Sequence, residues 1–238
     1  MGGDGVSMQH AAQGGNDVSD NRRRGLIILL PSYTSARHFL RILDGVSYPL
    51  YRSTFDAIWE QRGSHQEQVS WGYPDTWIAD RLSGEERALA QRVWDASKHE
   101  LNPRYLRPPW RMTTKHDLLV WGARDVLQVT ERGRRFLDDP QGRVVAEIDR
   151  YEGVLTLLQI VAELGPAKRG DFLTSFTSFC TAVTTSRGSS AISTALSRRL
   201  RNLMERGYVL VGSQIYEITQ GGLQYLERYE NPALGRLS

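Results

Sequence analysis

Between Ser189 and Arg206, Ser190, Thr194, Ser197, Arg198 and Arg201 recur at the spacing that gathers side chains on one face of a helix. Short hydroxyls let a helix approach base edges and phosphates closely, and guanidinium groups reach guanine O6 and N7 or the backbone. Ile192, Leu196, Leu200 and Leu203 form the opposite stripe, which predicts that the helix packs through them and leaves its hydroxyl and arginine face open. From Arg187 to Arg206 five arginines stand against Glu205, a balance of +4 that exceeds the +3 of the whole chain. Lys168 and Arg169 add to this basic set, and the free N–H groups at the helix start favour phosphate. A solvated amphipathic helix would carry serine and arginine on such a face too.

A second basic stretch, Asn102 to Lys115, holds Arg104, Arg107, Arg111 and Lys115 without an acid and interleaves them with Tyr105 and Trp110. Cations beside rings can hold phosphate while a ring packs on a sugar or an extruded base. Pro108-Pro109 equally fits a stiff, exposed connection whose aromatics plug the core.

Catalytic chemistry finds less support. A restriction-type metal site needs an acid two residues before a lysine. Ala96, Thr113 and Pro166 stand there before Lys98, Lys115 and Lys168. His10, His38, His65, His99 and His116 form no metal-binding spacing, and no phosphate-cradling glycine loop or nucleophile elbow is present. Asp138-Asp139 before Pro140 reads as a helix stop. No catalytic residue, metal or cofactor is therefore assigned, and the chain is expected not to be an enzyme.

The elements that must position these residues announce themselves through a near-repeat. Gln128-Val129-Thr130-Glu131-Arg132-Gly133-Arg134-Arg135-Phe136-Leu137 matches Glu217-Ile218-Thr219-Gln220-Gly221-Gly222-Leu223-Gln224-Tyr225-Leu226 as aliphatic-Thr-x-x-Gly-x-x-aromatic-Leu. An aliphatic residue closes a strand, threonine caps, and a helix follows. Each copy ends a helix-rich stretch, so the pattern marks two related units. In the second, Tyr151 to Leu164, Asp171 to Val183 and Ser189 to Arg206 predict three helices. Strands 208–211 and 214–218 around Gly212-Ser213, and a closing helix, complete a winged helix. In the first, helices are expected at Ser35 to Leu43, Tyr51 to Arg62, Gly84 to Lys98 and about Thr113 to Ala123, with a long loop from Gly63 to Ile78. The fold class is mainly α with small β-hairpins, an α+β chain of tandem winged-helix domains. The organisation read from the sequence is a basic-ended disordered tail at 1–25, an N-terminal domain with a long insertion at 26–140, and a C-terminal domain at 141–238.

Composition sets the outer bounds. Apolar residues make up 40% and charged residues 24% of 238, values that a packed core needs and a disordered chain lacks. Three of the thirty cationic residues are lysine, leaving 27 arginines, the side chain that grips phosphate or guanine with two bonds. The longest apolar run, Leu26 to Pro31, is too short to span a bilayer, and Cys180 is the only cysteine, so a membrane-free, cytoplasmic setting is expected.

Tyr33-Thr34-Ser35-Ala36 leading into Phe39-Leu40-Arg41-Ile42-Leu43, together with Leu127 to Leu137 and the long lead-in before it, resembles the N-terminal winged-helix region of Mrr-type restriction endonucleases. The resemblance covers mainly residues 30 to 140. It implies DNA targeting in restriction of modified or foreign DNA, and it departs from that family where a second winged helix stands in place of the nuclease domain. Double-stranded DNA is the expected partner, with a separate nuclease or a second copy of the chain as further candidates. A winged-helix transcriptional regulator and a protein-interaction scaffold anchored by Trp71, Trp77 and Trp110 are the alternative functions.

Overall fold

Serine and threonine caps start several of the helices. Ser32, Ser47 and Thr130 each accept a hydrogen bond from the backbone N–H three residues on, as N-caps do. The computed structural model describes residues 25–61, 69–183 and 188–230, and over them the chain is mainly helical with two small antiparallel sheets.

The first half comprises α1 (Tyr33–Leu43), α2 (Tyr48–Glu60), α3 (Pro74–Arg81), α4 (Gly84–Ala96), α5 (Arg107–Lys115), β1 (Leu119–Trp121), β2 (Leu127–Val129) and α6 (Glu131–Asp138). The second comprises α7 (Arg143–Glu152), α8 (Val154–Leu164), β3 (Ala167–Lys168), α9 (Asp171–Val183), α10 (Ser189–Glu205), β4 (Val209–Gly212), β5 (Ile215–Ile218) and α11 (Gln220–Glu230). In the larger sheet β5 lies between β3 and β4. The first half repeats the arrangement in reduced form: β2 pairs with β1 on one side and, through the Ser47–Val126 bridge and the Gly45 and Leu127 backbone bonds, with the turn after α1 on the other.

Several expected boundaries are corrected. The helix expected over Thr113 to Ala123 runs instead from Arg107 to Lys115 and gives way to β1, because Asp117 takes a left-handed conformation (φ 54°). Pro108-Pro109 is not a stiff connection: the pair opens α5, where a missing N–H costs nothing, and Pro109 is buried. The helix expected from Tyr151 begins at Arg143 and is broken at Gly153 (φ 73°), where an added Cβ would lie 2.3 Å from the Phe179 ring. The second hairpin turns on Ser213-Gln214, both at positive φ as a two-residue turn requires, rather than on Gly212-Ser213. The loop expected from Gly63 to Ile78 contains α3 from Pro74; its stretch 63–68 lies outside the described residues, as does the expected tail up to residue 24.

The near-repeat is a repeat of hydrogen bonds. Thr130 N donates to Leu118 O (3.1 Å) and Thr219 N to Tyr208 O (2.9 Å). The threonine hydroxyls donate to Asp117 O (2.6 Å) and Gly207 O (2.7 Å), and accept from Gly133 N (2.9 Å) and Gly222 N (3.0 Å). Leu118 N reaches back to Thr113 O (2.8 Å), and Tyr208 N to Leu203 O (2.9 Å), so α5 and α10 hold corresponding positions. The repeated glycine is required because a Cβ would lie 2.2 Å from Leu118 O in one copy and 2.4 Å from Tyr208 O in the other.

One hydrophobic cluster extends from Leu26 to Leu226 and is shared by the two halves, while Ile58, Trp77, Ile78, Leu82 and Ala90 form a satellite core under α2, α3 and α4. Helix α7 joins the halves through two buried carboxylates one turn apart. Glu152 Oε1 accepts from His116 Nε2 (2.9 Å) and Lys115 Nζ (2.7 Å) at the end of α5, and its Oε2 from Ile27 N (2.8 Å) and Arg199 Nη2 (3.4 Å). Asp149 accepts from Arg206 Nη1 (2.7 Å) at the end of α10 and from the Tyr33 (2.8 Å) and Tyr225 (2.6 Å) hydroxyls. Buried charges persist only when paired and hydrogen-bonded in this way. Burial alone would raise the Glu152 carboxyl, but the His116 and Lys115 hydrogen bonds and the lysine charge prevail and hold it at about 2.

Candidate nucleic-acid interface

Seven of the residues that composition singled out in two distant stretches converge on one face. Arg104, Arg107 and Arg111, at and before α5, meet Ser190 and Thr194, at the start of α10, across a cleft of about 730 Å³. An adjoining cleft of about 330 Å³ continues past Tyr105 and Pro108 to Arg198 and Arg201. The segment Ile27 to Ser32 runs along both clefts, and its position is fixed from below: Asn202 on α10 accepts from Tyr33 N (2.9 Å) and donates to Pro31 O (2.9 Å). The two helices are thus set against each other by α7 and by this segment.

The face of α10 divides as its periodicity predicts. Ile192, Leu196, Leu200 and Leu203 are buried, Ser190, Ser197, Arg198 and Arg201 are exposed, and Thr194, expected on the open face, is half-buried. Among the described residues, the side chains of Arg107, Arg111 and Arg198 have no acidic partner. Arg201 is exposed and paired with Glu205 at 2.8 Å, an i,i+4 contact worth a fraction of a kcal/mol, roughly 0.3–0.5, that a phosphate can displace. Arg104 lies with its guanidinium 4.3 Å from the Trp71 ring centroid and 5.6 Å from that of Tyr105, contacts that hold it among the residues lining the larger cleft. Among the described residues, the one acid lining either cleft is Glu100, which contacts His38 at 3.1 Å.

Other expected contacts lie elsewhere. Lys115 is turned inward to Glu152 and over the Tyr151 ring, so its charge is neutralised inside the junction. Arg199 and Arg206, counted in the +4 of the α10 segment, are buried against Glu152 and Asp149, and the basicity of the open face therefore rests on fewer groups than the count suggested. Arg169 reaches across to the Ser193 (3.0 Å) and Ser197 (3.0 Å) hydroxyls, so Ser197 is already engaged. Lys168 is exposed on β3 and lines neither cleft, and Arg187 lies outside the described residues. Of the tryptophans considered as partner anchors, Trp77 is buried and Trp71 and Trp110 are half-buried, Trp110 within a stack with Tyr48 and Tyr51.

Sequence reasoning missed the floor and far wall of the larger cleft, formed by Ile27, Leu29, Phe55, Ile58 and Trp59. The signal was there in part, since Phe55 and Trp59 stand four apart on α2 and stack at 5.9 Å. Away from the clefts, Asp75, Asp95 and His99 bring donor atoms within 4.8 Å of one another, all exposed. Asp75 accepts from the Trp94 indole and His99 stacks on the same ring, so packing between α3 and α4 accounts for this group. Among the described residues no helix is long and apolar enough to cross a membrane. No family model, no curated protein and no solved structure matches the chain.

Proposed function

We propose that the chain is a non-catalytic DNA-binding protein of two winged-helix units, 26–140 and 141–238, that grips duplex DNA along the α5–α10 face. The observation that carries this function is the convergence of Arg104, Arg107, Arg111, Arg198 and Arg201 on one concave face with, among the described residues, a single, already engaged acid at its edge. Five guanidinium groups on one face can neutralise phosphates of a duplex, and the start of α10, with Ser190 exposed and Thr194 half-buried, supplies groups small enough to approach base edges. The order β3-β5-β4 and its reduced counterpart around β2 support the winged-helix assignment, with α10 and α5 as corresponding recognition helices. The resemblance to the targeting region of Mrr-type enzymes adds the context of a DNA-recognition component in a restriction or defence system.

Binding of this kind weakens steeply with salt, because each phosphate contact releases counterions. A gel-shift series on unmodified, cytosine-methylated and hydroxymethylated duplexes should give affinity that falls log-linearly with salt. Arg198→Ala with Arg201→Ala should flatten that slope by about two. Unchanged affinity and slope in the double variant would exclude the face.

A protein-interaction scaffold has one specific observation in its favour. Strand β4 lies at a sheet edge with Leu210 and Val211 exposed, the geometry that accepts an added strand from a partner. Pull-down of a partner that survives nuclease treatment and is lost in Leu210→Lys would favour it.

A further inference from the structure

The larger cleft is not the shallow, polar groove that backbone gripping alone would use. Its floor is apolar and its walls carry Phe55, Trp59, Trp71 and Tyr105, while arginines stand at one side and hydroxyls at the other. Its volume, about 730 Å³, falls within the roughly 300–1,000 Å³ of pockets that enclose small organic ligands. Among the described residues, none that lines it is acidic. An occupant must therefore combine a flat, weakly polar body with negative charge.

We propose that this cleft receives one nucleobase swung out of the DNA bound along the α5–α10 face, an inference that rests on the duplex-binding function above. Phe55 and Trp59, stacked on each other, offer the extruded base a ring surface, with 45% of Trp59 exposed. Arg104, with its guanidinium 4.3 Å from the Trp71 ring centroid, adds to that surface a cation that can stack on bases. Arg107 and Arg111 stand where the phosphates flanking the base would pass. The Thr194 hydroxyl donates to Ser190 O at 2.9 Å and keeps its oxygen free to accept from a base amino group, and Ser190 offers a second hydroxyl beside it. The cleft adjoins the α10 face that would sit on the duplex, so a base leaving the stack has a short path into it.

Extrusion costs unpairing and unstacking, and the cost is least where the base is already mispaired. Fluorescence anisotropy should compare three labelled duplexes of one sequence: fully paired, carrying one central T·T mismatch, and carrying an abasic site in place of one mispaired thymine. The intact chain should bind the mismatched duplex roughly 10-fold more tightly than the paired one, and the abasic duplex should lose that advantage although it bends as easily. Trp59→Ala, with its helix content checked by circular dichroism, should bring the mismatched-to-paired ratio close to one, and Trp59→Phe should restore most of it. Equal affinity of the intact chain for paired and mismatched duplexes would overturn the pocket assignment while leaving duplex binding in place, as would an advantage that persists on the abasic duplex or in Trp59→Ala. Absence of salt-dependent binding to any of the three would instead remove the duplex-binding function itself.

Discussion

The segments α5 to α6 and α10 to α11 share the hydrogen bonds at the helix end and at the threonine cap, yet their leading helices are committed differently. At the corresponding ends, His116 and Arg206 both turn inward to a carboxylate of α7. Further back, α10 also buries Arg199 and Asn202, which bind the Ile27 to Tyr33 segment, whereas α5 buries Pro109 and Met112 at the matching places. Helix α10 is thus half anchor and half open face, while α5 spends its arginines outward. The repeated motif specifies how each hairpin locks onto its helix, and the remaining faces are free to diverge toward function.

The largest expected effect comes from the anchor that the two helices share. Glu152→Ala leaves Arg199 buried without its carboxylate and should cost about 3–5 kcal/mol in urea denaturation. Acid should reproduce this loss in part. Folding holds the Glu152 carboxyl below its ordinary value, at about 2, so its contribution is present above the unfolded pKa near 4.5 and disappears as pH falls from about 5 to 2. Glu152→Gln should lessen the decline over that window.

The glycine pair gives the next effect. Gly133→Ala and Gly222→Ala each force a methyl group against a backbone carbonyl at 2.2 or 2.4 Å, and each should cost about 1–3 kcal/mol by the same denaturation measurement. Tolerance at one site alone would break the equivalence of the two segments. The smallest effect is expected at the caps: Thr130→Ala and Thr219→Ala should each remove about 1 kcal/mol.

The repeat was legible from sequence because it is local: the strand, threonine cap and glycine contact fall within ten residues, and periodicity alone separated the two faces of α10. What sequence did not yield was set by distant partners. That Lys115, Arg199 and Arg206 are consumed by Glu152 and Asp149 depends on where α7 passes, and α7 was read only in its last residues. The break at Gly153 depends on Phe179, some two turns into another helix. The apolar and aromatic lining of the cleft was missed for the same reason, since Ile27, Phe55 and Arg107 come together there from segments far apart in sequence.

The proposed function has the two helices present their arginines to one duplex. Its most direct test is the salt dependence of binding to a single duplex for Arg111→Ala, Arg198→Ala and the double variant. One shared duplex predicts that each substitution lowers the slope of log affinity against log salt by about one and that the double variant loses about two. A slope that responds to only one of the two positions, or to neither, would contradict a common interface.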